Sequence, residues 1–349
     1  MSHATVDRAL RFARPPALWI GLILATLALA GHAEPPPPQP VAASMEKLAS
    51  EAFWWADFDE LESLYAQAGI PGGRTPDGRD LLTAFRLGVS VVFMSAINDS
   101  TAYFAQLVAL TREWSIQRPE SPLAHALYAR ALLAAALHAR GGGYESRVTP
   151  QARADFERYL GQATAHLAAH PEVIAKDSTA NVYLMAIGRW RGWPPEQLYA
   201  IASHGLKLAP DDFGFDFEMI TALLPSWGGD VHAIDRFVSS EMSRVGPERA
   251  LEMYARLYLE VAWEFQGGLF SQTRADWGKM KQGFRDMMLR YPDPRNLNQF
   301  AWMACIAQDR ETLSELLEQI GKSPVLNQWG SGADGRRKFE TCTTWARTS

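Results

Sequence analysis

The sequence predicts an all-α fold, a solenoid of stacked antiparallel helix pairs. Three observations lead there. From Ala43 onward, apolar residues recur at the three- and four-residue spacing of a helix face, and no pair of alternating runs reads as strands. The helical stretches follow one another through short links bearing Pro and Gly, as antiparallel neighbours require. The stretch Leu123 to Arg140 is rich in Ala, and small side chains let adjacent helices approach closely. An apolar content of 47% is enough to fill the core of such an array.

The chain opens with a different composition. Residues 1–33 read as a secretion signal: Arg8, Arg11 and Arg14 form a basic start, Ala17 to Ala30 an apolar core too short to span a membrane easily, and Gly31-His32-Ala33 a small-residue cleavage site, with Ala30 as a second one. An uncleaved signal anchoring the chain in the inner membrane is the alternative. Lipidation is not expected, because His32 stands where a lipoprotein carries Cys. Residues 34–42, with Pro35-Pro36-Pro37-Pro38, form a stiff spacer, and 43–349 form the helical-repeat domain with a C-terminal cap from about residue 323. Cleavage after Ala33 removes three Arg and one Asp and takes the net charge from −5 to −7. With no basic tract, nucleic acid is not an expected partner. The expected location is the periplasm or the exterior, with no stable membrane span after cleavage.

The helices read in order as follows. Met45 to about Ala56 and Phe58 to Ala68 make a short pair, and Ile70 to Gly78 a loop. Asp80 to about Ile97 pairs with Thr101 to Gln117. Ser121 caps, and Pro122 begins, the Ala-rich helix that ends at Gly141-Gly142-Gly143. Thr149-Pro150 opens a helix to about His170, and Thr179 to Arg191 pairs with Pro195 to Leu208. Phe215 to Leu224 precedes Val231 to Arg244. Pro247 to Phe265 is amphipathic: Leu251, Tyr254, Tyr258, Val261 and Phe265 share one face, and Glu252, Arg256 and Glu260 lie four apart on an expected wet one. Asp276 to Arg290, Leu297 to Ala307, Arg310 to Ile320 and Arg337 to Trp345 complete the array.

Between two of these helices lies Leu223-Leu224-Pro225-Ser226-Trp227-Gly228-Gly229. Pro225 stops a helix, one of Gly228 and Gly229 supplies a positive φ, Asp230 caps the next helix, and Trp227 is the one large side chain of the turn. Packing of Trp227 into a seam between helix pairs, or display of it in a ligand groove, are the two readings. This stretch, Trp114-Ser115-Ile116-Gln117-Arg118-Pro119-Glu120-Ser121-Pro122 and Ala139-Arg140-Gly141-Gly142-Gly143-Tyr144 together resemble a bacterial family designated domain of unknown function 4034. The resemblance spans roughly residues 45–322. It implies a tetratricopeptide-like helical fold and carries no activity. The joints Leu206 to Asp211 and Arg290 to Pro294 are similar to the inter-repeat links of tetratricopeptide arrays. In the family pattern a basic residue precedes the Trp; here that position is Ser226.

No phosphate-binding Gly loop, nucleophile elbow or zinc-protease helix is present, and no cofactor is expected. His166 and His170 have a metal-ligand spacing, but the neighbouring sequence offers no third ligand, so no metal site is expected; His125 reads as an ordinary polar contact at a helix start. Arg140 and Tyr144 flank the Gly run and, with Trp227, are the candidate ligand contacts; Arg140 also suits a helix C-terminus. Glu260 and Glu264 flank Trp263, an arrangement that could serve hydrolysis of a glycan, although such acids usually just line a wet helix face. Cys305 and Cys342, both in the last 45 residues, are expected to form a disulfide fastening the C-terminal cap, with Cys305 facing the core. The leading functional expectation is binding of a protein or peptide on a concave face, without catalysis. The rivals are a hydrolase acting on envelope glycan or peptide and a purely structural accessory domain.

Overall fold

A computed structural model of the chain describes residues 44–94, 99–142 and 147–348. The signal and spacer, Ile97 and Tyr144 lie outside the described residues. The repeat unit is all-helical, with no strand among the described residues and a single isolated bridge between Arg74 and Asp80. Its helices are α1 (Met45–Trp54), α2 (Phe58–Ala68), α3 (Leu81–Val92), α4 (Thr101–Gln117), α5 (Pro122–Arg140), α6 (Pro150–Ala169), α7 (Pro171–Lys176), α8 (Ser178–Trp190) and α9 (Pro195–Leu208). They continue as α10 (Phe213–Ala222), α11 (Val231–Val245), α12 (Ala250–Val261), α13 (Leu269–Gln272), α14 (Trp277–Arg290), α15 (Pro294–Ile306), α16 (Arg310–Ile320) and α17 (Gly332–Arg347). No described helix is long and apolar enough to cross a membrane.

Local chemistry sets the boundaries. Side chains of Ser44, Asp80, Ser121, Thr149, Asp177, Asp212 and Asp230 each accept a hydrogen bond from the first turn of the helix that follows. Such a cap is worth about 1 kcal/mol and fixes where each helix starts. Neighbours pack in pairs: α1 on α3, α4 and α6 on α5, α8 on α9, α11 and α14 on α12, and α15 on α16. In α5 the Ala side chains at 129, 131, 134, 135 and 136 are buried, which lets helices close on it from both sides.

The array does not stay open. Glu46 on α1 accepts from Arg295 on α15 at 3.1 Å and pairs with Arg79 at 2.6 Å. The carbonyl of Asp77 accepts from Arg256 on α12 at 3.0 Å and from Asn296 at 3.1 Å. Gly78 sits at φ 83° under the ring of Tyr291, where any Cβ would overlap the aromatic carbons. The loop read as a simple connection between helices is therefore the clasp between the first and the last repeats.

This clasp overturns one expectation. Glu252 and Arg256 are not a wet face: both are buried, Glu252 accepting from Arg256 at 3.0 Å and from Arg290 at 2.8 Å. Helix α12 is covered on both sides, so its polar stripe became an internal ion network. The helix also ends at Val261, four residues before Phe265, and α7 and α13 are short helices that the periodicity did not mark.

Cys305 and Cys342 are joined, with Cα atoms 5.8 Å apart. Cys305 packs half-buried against the core, as expected of it, and Cys342 on α17 is the more buried of the two. The Gly-rich stretch before Cys342 is mostly helical: α17 starts at Gly332, and Gly335 lies so close to the carbonyls of Leu326 and Gly330 that a Cβ would overlap both. Beside it Trp329 is fully buried and donates its indole N–H to Asn298 at 2.9 Å.

Candidate functional site

Six helices, α3, α5, α8, α10, α12 and α15, face one another around a cavity of about 470 Å³. Its wall is dominated by arginine: Arg79, Arg86, Arg130, Arg189, Arg256 and Arg295, against Glu218 and Glu260. Most of these guanidiniums are matched within the protein. Arg86 donates to Asp212 at 3.0 Å and to Thr179 at 3.2 Å. Arg189 pairs with Glu218 at 3.1 Å, and Arg295 with Glu46.

Arg130 differs. It stands on α5 with its guanidinium 4.8 Å from the centre of the Phe93 ring, and no carboxylate among the described residues lies within ion-pair distance. Its Nη1 is sealed from bulk solvent and meets no acceptor, and the hydroxyl of Tyr183, on the same wall, also lacks a partner. Burial pushes the Arg130 pKa below the usual guanidinium range, Tyr183 and Glu218 opposing that shift. Burial likewise raises the Tyr183 pKa, with Arg130 and Arg86 pulling it back. Two donors without hydrogen-bond partners, one charged, thus line this wall; the third such atom there, Arg295 Nε, lies 3.5 Å from the Asp77 carboxylate.

The cavity runs on into a shallower groove through Arg189 and Trp190, which line both. Here the turn at Pro225 comes in. Pro225–Trp227 forms one 3-10 turn, Gly228 follows at φ 84°, and the amide of Gly229 donates to the carbonyl of Leu224 at 3.1 Å. The two glycines serve different needs: Gly228 supplies the left-handed backbone, while a Cβ on Gly229 would overlap the carbonyl of Leu223. The turn holds Trp227 half-buried and edge-on to Trp190, ring centres 4.5 Å apart, with the Arg189 guanidinium over the Trp227 ring, 4.2 Å from its centre. Arg140, at the end of α5, lies 5.5 Å over Trp190 and donates to the carbonyl of Gly141 at 3.2 Å. Trp263, more than half exposed, completes the aromatic edge.

The chain matches no family model, no curated protein and no solved structure.

Of the candidate ligand contacts, Trp227 and Arg140 therefore meet across Trp190 in one groove, and Tyr144 lies outside the described residues. The paired carboxylates do not fall as the sequence placed them. Glu264 lies beyond α12 and accepts from the amide of Ser226 at 3.1 Å, bracing the Trp227 turn. Glu260 faces the cavity, and its neighbour there is Glu218. Burial first, and the Glu218 carboxylate second, push the Glu260 carboxyl up to about 7.

Sequence reasoning missed Arg130, Tyr183 and Glu218. Each sits in a mostly apolar helix, where an isolated polar position reads as incidental. The one signal was Arg130 itself, an arginine amid Ala and Leu on a largely buried helix. Also missed was the company of His166 and His170 at the end of α6. His125, in the first turn of α5, lies against both, ring centres 5.1 and 4.1 Å away.

Proposed function

We propose that this is an exported binding protein whose cavity takes a carboxylate of an acidic peptide, while the peptide continues along the groove of Trp190, Trp227 and Trp263. The observation that carries this reading is Arg130, a half-buried cation whose sealed Nη1 meets no acceptor and which has no carboxylate among the described residues within ion-pair distance, on the same wall as a phenol with no hydrogen-bond partner. A buried charge without a partner costs several kcal/mol, and a ligand carboxylate supplies both the charge and the missing acceptors. Tryptophan faces and arginine planes then hold extended peptide with little loss of side-chain freedom. Export is supported by the basic and apolar start of the chain and by the Cys305–Cys342 bond, which oxidising compartments favour. The negative overall charge supports a peptide rather than a nucleic acid as partner.

The test is titration of the protein with a panel of short peptides, free and amidated at the C-terminus, acidic and neutral, read by tryptophan fluorescence. Binding that needs a peptide carboxylate and is lost in Arg130→Met supports the proposal. Equal binding of neutral amidated peptides, or unchanged binding by R130M, overturns it.

A second reading rests on Glu260. A carboxyl held near neutrality beside a second carboxylate has the makings of a general acid with its partner base, so hydrolysis of an envelope glycan or peptide is the rival function. Against it, Glu218 is occupied by Arg189. Loss of any measured hydrolysis in both Glu260→Gln and Glu218→Gln favours this reading over simple binding.

A further inference from the structure

On the outer side of the α5–α6 pair, well away in sequence from the turn at Trp227, three imidazoles converge. Helix α5 runs antiparallel to α6, so the first turn of one lies beside the last turn of the other. That brings His125 to His166, and His170, one helical turn after His166, closes the third side. One ring nitrogen from each of the three lies within 4.8 Å of the other two.

The hydrogen bonds around the cluster decide which nitrogens face inward. His125 Nε2 lies 2.9 Å from the carbonyl oxygen of Pro119. A carbonyl only accepts, so Nε2 carries the proton and Nδ1 keeps its lone pair. That Nδ1 is the atom aimed at His166 Nε2, 3.0 Å away. His170 Nδ1 lies 3.2 Å from a carboxylate oxygen of Glu172, which fixes its proton on the outer nitrogen and leaves Nε2 as the donor atom. Two of the three rings are thus held by an acceptor on the far side, one carbonyl and one carboxylate. This is the outer support that orients imidazoles toward a metal and makes them better donors. Tyr128 packs edge-on against His166, ring centres 4.6 Å apart, and holds the third ring. His125 is buried, whereas His166 and His170 are half-exposed, so an ion can enter from the α6 side.

The geometry points to a binding site for one divalent transition-metal ion of the zinc class, held by His125 Nδ1, His166 Nε2 and His170 Nε2 with a fourth position open to water or an outside donor. Zinc–nitrogen bonds of about 2.0–2.1 Å in tetrahedral array put donor atoms roughly 3.3 Å apart. The His125–His166 spacing is already close to that, and a modest turn of the His170 side chain at the end of α6 brings in the third. The ligand spacing, two histidines four apart on one helix and one from a neighbouring helix, suits nitrogen-preferring ions rather than calcium or magnesium, which take oxygen.

The experiment uses the full chain without a histidine tag. Zinc chloride alone is titrated by calorimetry, and cobalt chloride alone is followed by visible absorption. The expected result is one zinc ion per chain and an intense four-coordinate cobalt spectrum. His166→Gln and His170→Gln should each weaken zinc by more than about 100-fold, beyond what loss of an outer partner gives; Glu172→Gln should weaken it by roughly 10-fold. His204→Gln, outside the cluster, should leave binding unchanged. Absence of zinc binding, or binding that neither H166Q nor H170Q weakens, overturns the inference. Should a histidine variant fail to fold, the cobalt spectrum of the unaltered protein decides alone: weak six-coordinate bands overturn the site.

Discussion

Two walls of one cavity treat arginine in opposite ways. On the clasp side, Arg79, Arg86, Arg256 and Arg295 each meet a carboxylate, and Asp77, Glu252 and Asp212 are buried with them. On the α5–α8 side, Arg189 is paired with Glu218, but Arg130 meets only an aromatic ring and the Tyr183 hydroxyl has no hydrogen-bond partner. The first arrangement is what holding two ends of an array together demands, since a buried ion stays only if its partner is in place. The second is wasteful for a structural element. A chain under no constraint but stability would place Met or Leu there, so the unmatched wall is where a ligand is expected.

Breaking the matched wall should have the largest effect. Arg86→Met strands Asp212, whose side chain is fully buried, and brings it up against Asp80 without a cation between them. Urea unfolding should show a loss of about 3–5 kcal/mol. A loss under about 1 kcal/mol would mean that the charges of this wall are not matched in the way described.

The same substitution on the other wall should do the reverse. Arg130→Met removes a half-buried charge with no carboxylate within ion-pair distance, so stability should hold or rise by ~1 kcal/mol while peptide binding disappears. If thermal melting instead drops as it does for R86M, Arg130 has a structural partner and the contrast between the walls fails.

The smallest effect sharpens the chemistry of the unmatched wall. The folded chain holds the Glu260 proton more tightly than the unfolded chain, where the carboxyl has its ordinary lower pKa. Its contribution to stability is therefore full in acid and is lost as pH rises through about 7. Above that pH a second negative charge joins Glu218 in the cavity, with Arg189 already paired to Glu218. Acidic peptide should bind severalfold more weakly at about pH 8 than at about pH 6, and Glu260→Gln should flatten that dependence. A pH profile that survives in E260Q would assign the titration to another group.

The pairing of helices was legible because it depends on local signals. Caps such as Ser121 and Asp230, breakers such as Pro225, and a period near 3.6 act within a few residues of where they are read. The bond between Cys305 and Cys342 was legible because two cysteines permit one pairing. What stayed hidden depends on contacts far apart in the chain. Glu252 and Arg256 look like solvent-facing charges until the loop at Asp77 folds back onto them. His125 looks isolated until α6 returns alongside α5. Trp227 and Arg140 were singled out for their turns, yet what they share is Trp190, which no turn signal marks.

The clasp also governs how such a chain can fold. In an open array each repeat leans only on its neighbours, so stability spreads along the chain and either end frays alone. Here Glu46 is held by Arg295, 249 residues later. As the chain emerges from its N-terminus, Glu46, Asp77 and the α3 end of the cavity wait for partners on α12 and α15 that do not yet exist. Contacts of such long sequence separation form late and slow the final step. Once made, they couple the two ends: loosening α15 exposes charges on α1 as well, so unfolding should proceed as one event rather than by peeling from a terminus.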